Sequence, residues 1–245
     1  MGTEAGILLV GRGIIAALLG ALLVSACGDK ESGRVDPADH AAFYLWAGVR
    51  PGPEVARASE LYILDGEVRR NGERLVALHP QAPRLADKRL WLVVRTQTLE
   101  WNPAVRSVIL RDLAHWAAAS PGLQGLQVDF DAATAHLDDY AAFLRELRAV
   151  LPPRYRLSIT GLMDWSANAD PTVLARLKGT VDEVVVQSYQ GRTTIPGYER
   201  YLERLARVPV PHKVALVEGG AWREPAALRS DPLFRGYVVF LLNPS

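Results

Sequence analysis

The stretch Gly125-Leu126-Gln127-Val128-Asp129-Phe130-Asp131 alternates apolar and polar side chains with the period of two that is typical of a β-strand. One face carries the apolar side chains: Leu126, Val128 and Phe130. The other face carries two carboxylates and an amide: Gln127, Asp129 and Asp131. Burying a charge costs several kcal/mol unless it is paired or hydrated. The polar face is therefore expected at a polar opening, and a solvated edge strand is the alternative.

Seven further apolar segments predict strands, near residues 43, 62, 92, 158, 186, 215 and 239. Apolar residues at helical spacing predict helices between most of them, and Asn71-Gly72 predicts the turn of a β-hairpin within residues 60–79. This alternation indicates parallel strands joined by right-handed crossovers. Eight units predict an α/β fold, a compact (β/α)8 TIM-like barrel. An open doubly wound sheet is the alternative, but no glycine-rich phosphate loop follows an early strand.

The composition of the 245-residue chain is that of an ordinary globular protein, with 49% hydrophobic and 22% charged residues. Its formal net charge of +1 gives no reason to expect a nucleic-acid partner. The five histidines and the single cysteine form no metal-ligand spacing, and no serine lies in a G-x-S-x-G motif. We therefore expect a monomer without a metal or cofactor.

The N-terminal segment has the form of a secretion signal. Arg12 precedes an apolar run over residues 14–24 that is too short for a good membrane span. The run ends in Val24-Ser25-Ala26-Cys27, which resembles the bacterial lipobox and implies that Cys27 is lipidated; an uncleaved anchor with a chance cysteine is the alternative. Gly28 after the cysteine, by resemblance to enteric lipoproteins, implies the periplasmic face of the outer membrane. We thus expect a signal peptide over 1–26, a tether over 27–40 and one domain over 41–245.

Functional side chains of a barrel lie at the C-terminal ends of its strands. The substrate-binding residues expected there are Trp46, Arg95, Gln127, Asp164, Trp165, Gln187 and Glu218. Together with Asp129, Asp131 and Tyr189, this set combines carboxylates, amides and aromatic rings. Carboxylates can protonate a leaving oxygen or stabilise a cationic centre, and aromatic faces pack against sugar rings. The set therefore indicates a carbohydrate ligand rather than phosphate chemistry.

Two segments resemble a known family. Residues 124–131 (QGLQVDFD) resemble the strand-four signature D-G-x-D-x-D-x-E of glycoside hydrolase family 18, the chitinase-like barrels, and residues 186–190 (VQSYQ) resemble its strand-six M-x-Y-D. The pattern over residues 40–245 is closer still to an uncharacterised bacterial lipoprotein family, the domain of unknown function 3142.

The resemblance implies catalytic roles for three residues. Asp131 stands where the chitinase-like family has its general acid, Asp129 matches the carboxylate that stabilises the intermediate, and Tyr189 matches the tyrosine that binds the acetamido group. Gln127 and Gln190 depart from the pattern, because the family has aspartates there. The tryptophan that the family has at the end of strand eight is also absent.

The acid position holds the shorter aspartate where the family has glutamate, and a misplacement of about 1 Å can cost on the order of 10²-fold in rate. Two carboxyls on alternate strand residues have Cα atoms roughly 6.6 Å apart, which leaves retaining and inverting geometries both open. Such neighbours cannot both ionise cheaply, so the pKa of one should rise, and the carboxyl with the raised pKa should serve as the acid. We expect Arg95 either to contact substrate or to keep Asp129 ionised.

Three hypotheses follow from these residues. The first is an envelope-anchored glycoside-hydrolase-like protein that acts on a polysaccharide or an amino-sugar glycan. The second is a catalytically inactive carbohydrate-binding lipoprotein of the same fold. The third is a structural envelope lipoprotein with a protein partner.

Overall fold

The computed structural model describes residues 33–50, 52–79 and 81–243. Eight parallel strands form the central sheet: β1 (Ala42–Leu45), β2 (Glu60–Val68), β3 (Arg89–Thr96), β4 (Leu123–Asp129), β5 (Arg156–Leu162), β6 (Glu183–Gln187), β7 (His212–Val217) and β8 (Phe234–Phe240). Each strand pairs with the next in sequence, and β8 pairs with β1, so the sheet closes. The predicted α/β barrel is confirmed.

Helices cover the outside of the barrel: α1 (Pro53–Arg57), α2 (Pro103–Ala119), α3 (Leu137–Val150), α4 (Trp165–Asn168), α5 (Pro171–Leu177), α6 (Tyr198–Leu202) and α7 (Ala226–Ser230). Short 3-10 turns lie at Pro37–Asp39, Thr134–His136 and Leu205–Arg207. Helix α2 begins at a local capping signal: the Asn102 side chain accepts a hydrogen bond from the Ala104 amide, and Pro103 occupies the first turn.

The connection from β2 to β3 contains a hairpin instead of a helix. Leu75–Ala77 runs antiparallel to β2, with Val68 opposite Leu75. The predicted turn residue Gly72 has a φ of +61°, a conformation that glycine adopts without strain. The paired strands are joined by residues 69–74, which is longer than the two-residue turn that Asn71-Gly72 suggested.

Strand β4 presents its two faces to different environments. Leu126 and Val128 are fully buried between the sheet and the helices, whereas Gln127 and Asp129 point into the barrel and are also buried. At the start of the strand, a Cβ on Gly125 would collide with the backbone of Arg156, its partner on β5. Glycine thus permits β4 and β5 to lie close enough together to pair.

An ion cluster occupies the barrel interior near the N-terminal ends of the strands. Lys213 Nζ lies 2.6 Å from Glu60 Oε2 and 3.3 Å from Glu183 Oε2, and all three residues are less than 10% exposed. Tyr62 donates to Glu183 at 2.7 Å, and Trp91 Nε1 donates to Glu60 at 2.8 Å. A buried carboxylate needs such partners, because leaving its charge unpaired inside the protein is strongly destabilising.

Part of the segment that was expected to be a tether is packed on the barrel. Gly33–Arg34 pairs antiparallel with Ala221–Trp222, and Val35 is only 5% exposed. Burial of the apolar Val35 side chain is favourable, so residues 33–35 contact the domain although they fall within the predicted tether. The signal peptide and Cys27 lie outside the described residues. Within the described ranges, no helix has the length and apolar character needed to cross a membrane.

Candidate functional site

A groove lies at the C-terminal ends of the barrel strands and divides into two arms. The aromatic arm, of about 550 Å³, is lined chiefly by Trp46, Leu162, Gln187, Tyr189, Ile195 and Phe240. The polar arm, of about 720 Å³, is lined by Arg70, Thr96, Gln97, Thr98 and Phe130. Arg95, Asp129 and Asp131 line both arms. The two carboxyls therefore lie where the arms meet.

The two aspartates occupy different environments. Asp129 is the last residue of β4 and only 5% exposed, and its Oδ1 accepts a hydrogen bond from Thr160 Oγ1 at 2.9 Å. Its Oδ2 lies 3.9 Å from Nε of Arg95, whose side chain is 47% exposed. Asp131 follows the end of the strand and is exposed. Asp129 thus lies deep in the groove wall, while Asp131 faces solvent.

Burial has the largest effect on the ionisation of Asp129. It raises the pKa of this carboxyl to about 6, although Arg95 and the Thr160 hydrogen bond both favour the ionised form; the neighbouring Asp131 adds to the rise. We expected Arg95 either to contact substrate or to keep Asp129 ionised. Arg95 does favour the ionised form, but it is half exposed and beyond hydrogen-bonding distance, so its attraction offsets only part of the loss of hydration. The raised pKa lies on Asp129, whereas the sequence placed it on the acid.

The aromatic arm has a continuous wall of rings. The Phe240 ring centroid lies 5.4 Å from both Trp46 and Tyr189, and Tyr44 packs beneath this wall at 5.6 Å from Trp46. Burial, and then the carboxylates of Asp129 and Asp131, raise the pKa of Tyr189 well above its ordinary value. Its hydroxyl therefore remains protonated at neutral pH and is available as a hydrogen-bond donor.

The sequence analysis noted only that the family's tryptophan is absent from the end of strand eight, and it did not predict Phe240 as a groove residue. The alternation along β8 was a usable signal, because Val238 and Phe240 share the inward face and Val239 points outward. Phe240 supplies an aromatic ring at the end of β8, where the chitinase-like family has a tryptophan that this sequence lacks.

Two predicted binding residues lie below or behind the groove. Gln127 is fully buried inside the barrel, where its Nε2 donates to Ser158 Oγ at 2.9 Å. Trp165 is 1% exposed, and its Nε1 donates to the Ala132 carbonyl at 2.8 Å. Neither side chain lines the groove: Gln127 lies one pleat below Asp129, and Trp165 packs under the loop that follows β4.

Two further predicted carboxylates hold the loops around the groove instead of lining it. Asp164 accepts a hydrogen bond from Thr134 Oγ1 at 2.6 Å, which joins the loops after β4 and β5. Glu218 Oε2 accepts from the Leu242 amide at 2.8 Å, which joins the ends of β7 and β8. Six predicted residues do line the groove: Trp46, Arg95, Gln187, Asp129, Asp131 and Tyr189.

No three metal-ligating side chains of the described residues lie close enough to hold an ion.

Residues 90–192 match the model of the domain of unknown function DUF3142. This confirms, over those residues, the resemblance carried by the QGLQVDFD stretch. The DUF3142 match runs from β3 to just beyond the end of β6, and it includes Asp129, Asp131 and Tyr189. No curated protein matches the chain in sequence.

Solved structures similar to this DUF3142-matching chain are chitinase-like barrels. The chitinase domain of the spore coat protein CotE from Clostridium difficile has a TM-score of 0.51 at 14% identity, over 84% of this chain and 73% of that one. The xylanase and α-amylase inhibitor protein XAIP-II from Scadoxus multiflorus has a TM-score of 0.50 at 9% identity, over 82% and 92%.

The spore cortex-lytic enzyme SleL from Bacillus cereus is also similar, with a TM-score of 0.47 at 20% identity over 72% of this chain. The chain spans about half of SleL, 49% of its length. At 14% and 9% identity, the likeness to CotE and XAIP-II shows the barrel fold alone, so the chemistry has to be argued from the groove.

Proposed function

We propose that the protein is an envelope-anchored, glycoside-hydrolase-like protein that acts on a polysaccharide or an amino-sugar glycan. The observation that carries this proposal is the groove, in which two carboxyls and a protonated tyrosine adjoin a wall of aromatic rings. Sugar rings present apolar C–H faces that pack on aromatic side chains, and their hydroxyl and amide groups need polar partners nearby. The groove offers both within one cavity.

Asp131 is proposed as the acid and Asp129 as its stabilising partner. Asp131 is the solvent-facing carboxyl at the junction of the arms, where the oxygen of a leaving group could reach it. Asp129 lies deeper, held by Thr160, where its carboxylate could stabilise positive charge that develops on the sugar. Tyr189, which lines the aromatic arm together with both carboxyls, would donate its hydroxyl to the substrate.

A catalytically inactive carbohydrate-binding protein is the second candidate, and one observation favours it. The acid position holds an aspartate, whose carboxyl reaches one methylene less far than the glutamate of the chitinase-like pattern. Both an enzyme and an inhibitor protein have this fold, as CotE and XAIP-II illustrate, so the barrel is compatible with either outcome.

The test is to titrate the full-length protein, purified in detergent, with tetrasaccharides of chitin, peptidoglycan and cellulose while following their hydrolysis in the same samples. We expect one or more to bind, and Trp46→Ala to weaken that binding by about tenfold, because a stacked ring contributes on the order of 1 kcal/mol beyond area burial. Trp46→Phe, which keeps a ring, is the control. Absence of binding to every glycan would remove the proposal, and binding without turnover would favour the inactive candidate.

The lipid anchor is proposed from the sequence, since Cys27 lies outside the described residues. Acylation at Cys27 would hold the protein at the periplasmic face of the outer membrane. We expect Cys27→Ser to yield an unlipidated precursor, detected by the mass of the intact protein and by its loss from the detergent-extracted envelope fraction. Equal mass and equal membrane retention of variant and parent would contradict the lipoprotein assignment.

A further inference from the structure

The two arms of the groove offer a ligand different chemistry. Three aromatic rings line the aromatic arm, but Phe130 is the one ring among the described residues that line the polar arm, and it packs 5.2 Å from Tyr140. The polar arm is thus a poor platform for stacking a second sugar ring. A ligand that extends from the carboxyls into this arm must be held chiefly by polar contacts.

Most neutral polar groups of the polar arm already have partners within the protein. Gln97 Nε2 donates to Glu67 Oε1 at 2.9 Å, and Thr96 Oγ1 donates to the Thr98 carbonyl at 2.6 Å. The Thr98 hydroxyl accepts from the Glu100 amide at 3.2 Å. These interactions hold the wall of the arm in place and reduce its capacity to bind neutral hydroxyl groups.

The guanidinium groups are the open donors of this arm. Arg70 is exposed, and no ion pair or side-chain hydrogen bond joins it to another described residue. Its neighbour Arg69 lies 3.7 Å from Glu67, the carboxylate that also accepts from Gln97. Arg95 is half exposed, with Asp129 at 3.9 Å as its ion-pair partner. A guanidinium presents a planar set of N–H donors that matches a carboxylate or phosphate in shape and charge.

We propose that the natural ligand is an anionic glycan, and that Arg70 selects it by pairing with a carboxylate or phosphate group on the sugar unit in the polar arm. This inference rests on the proposed carbohydrate function and names the class of glycan. The neutral part of the ligand would pack on Trp46 and Phe240, while its charged unit would lie against Arg70. Arg95, which lines both arms, already pairs with Asp129 and is not needed for this selection.

The test compares chitotetraose, which is neutral, with a hyaluronan tetrasaccharide, a peptidoglycan tetrasaccharide that keeps its lactyl carboxylates, and a phosphorylated chitotetraose. The full-length protein in detergent is titrated with each by calorimetry at low and at moderate salt. We expect an anionic form to bind about tenfold more tightly than the neutral one, and salt to reduce this preference. Comparing the affinities of the carboxylate and phosphate ligands then shows which of the two anionic groups the protein prefers.

Arg70→Gln should abolish the preference and leave the affinity for chitotetraose unchanged. Arg70→Lys should keep part of it, because it retains the charge but loses the planar donor pair. Arg69→Gln is the matched control: this arginine is the preceding residue and is also exposed, but it pairs with Glu67 and does not line the groove. It should leave every affinity unchanged.

Equal affinity for neutral and anionic ligands, or a preference that survives Arg70→Gln, would overturn the inference while leaving the carbohydrate function intact. Failure of all four ligands to bind would instead overturn the carbohydrate function and this inference together. The titration therefore distinguishes failure of the anionic-glycan inference from failure of the carbohydrate function.

Discussion

Replacing Lys213 with methionine is expected to destabilise the protein by about 3–5 kcal/mol near neutral pH, because it leaves two buried carboxylates without their cation. Lys213 Nζ lies 2.6 Å from Glu60 and 3.3 Å from Glu183 inside the barrel. Methionine has a similar length and no charge, so the loss of charge, rather than a cavity, would cause the effect. Urea unfolding followed by tryptophan fluorescence measures it.

The pH dependence of the stability lost in Lys213→Met shows whether unpaired carboxylates cause it. Burial alone would raise the pKa of Glu60, but the charge and hydrogen bond of Lys213, with Trp91 and Arg89, together lower it. A lowered pKa means that the pairing of Glu60 stabilises the protein above its ordinary pKa of 4.5, and that this stabilisation is lost as the pH falls through the folded-state value. In the variant, Glu60 can be neutralised by a proton, so the deficit should shrink towards about pH 4.

Lys178→Met is the control, since Lys178 is exposed beyond the end of α5 and should tolerate the change. A variant that combines Lys213→Met with Glu60→Gln and Glu183→Gln should recover much of the lost stability, because no unpaired charge would remain buried. A Lys213→Met protein as stable as its parent at neutral pH would contradict this account of the cluster.

The second large effect is expected on catalysis. If the protein hydrolyses a glycan, Asp131→Asn should lower kcat by about 10²–10⁴-fold while largely preserving binding, because general acid catalysis typically contributes that much. Asp131→Glu restores the reach of the chitinase-like acid and should retain measurable turnover. Asp139→Asn, at an aspartate whose side chain is 78% exposed on α3, is the matched control. Full activity of Asp131→Asn would remove the acid assignment.

Asp129→Asn should have opposite effects on activity and stability. It removes the carboxylate that we propose to stabilise the reacting sugar, so kcat should fall, and the parent itself should lose activity as the pH drops below about 6 and Asp129 becomes protonated. The folded-state pKa is raised from 3.8. This carboxyl therefore favours folding at low pH, and that contribution is lost as the pH rises through about 6.

The stability measurement makes this prediction independent of turnover. A rise of about two pKa units corresponds to roughly 3 kcal/mol at most, so Asp129→Asn should raise Tm near pH 8 and change it little near pH 4. Asparagine can still accept the hydrogen bond from Thr160. A Tm that is unchanged or lower at pH 8 would show that the buried carboxylate is not a source of strain in the folded protein.

Sequence reasoning predicted the barrel because its signals are local and repeated. Period-two alternation in β4, helical spacing in α2 and α3, and caps such as Asn102 each act within a few residues. Once eight strands alternate with helices, the rules for parallel crossovers leave few topologies, and the strand ends must meet at one face. That is sufficient to bring Asp129, Asp131 and Tyr189 into one groove.

The tertiary structure decided which of the polar side chains near the strand ends reach that groove. Sequence parity placed Gln127 on the same face as Asp129, but the depth of each residue inside a closed barrel depends on the register of all eight strands, which no single segment encodes. The raised pKa of Asp129 likewise reflects its distance from Arg95 and its burial, both set by long-range packing. Residue type and spacing determined the barrel fold and the presence of a carboxyl pair at the end of β4. The depth of each polar side chain, its partners and the ionisation of Asp129 followed only from the way the eight strands close into a barrel.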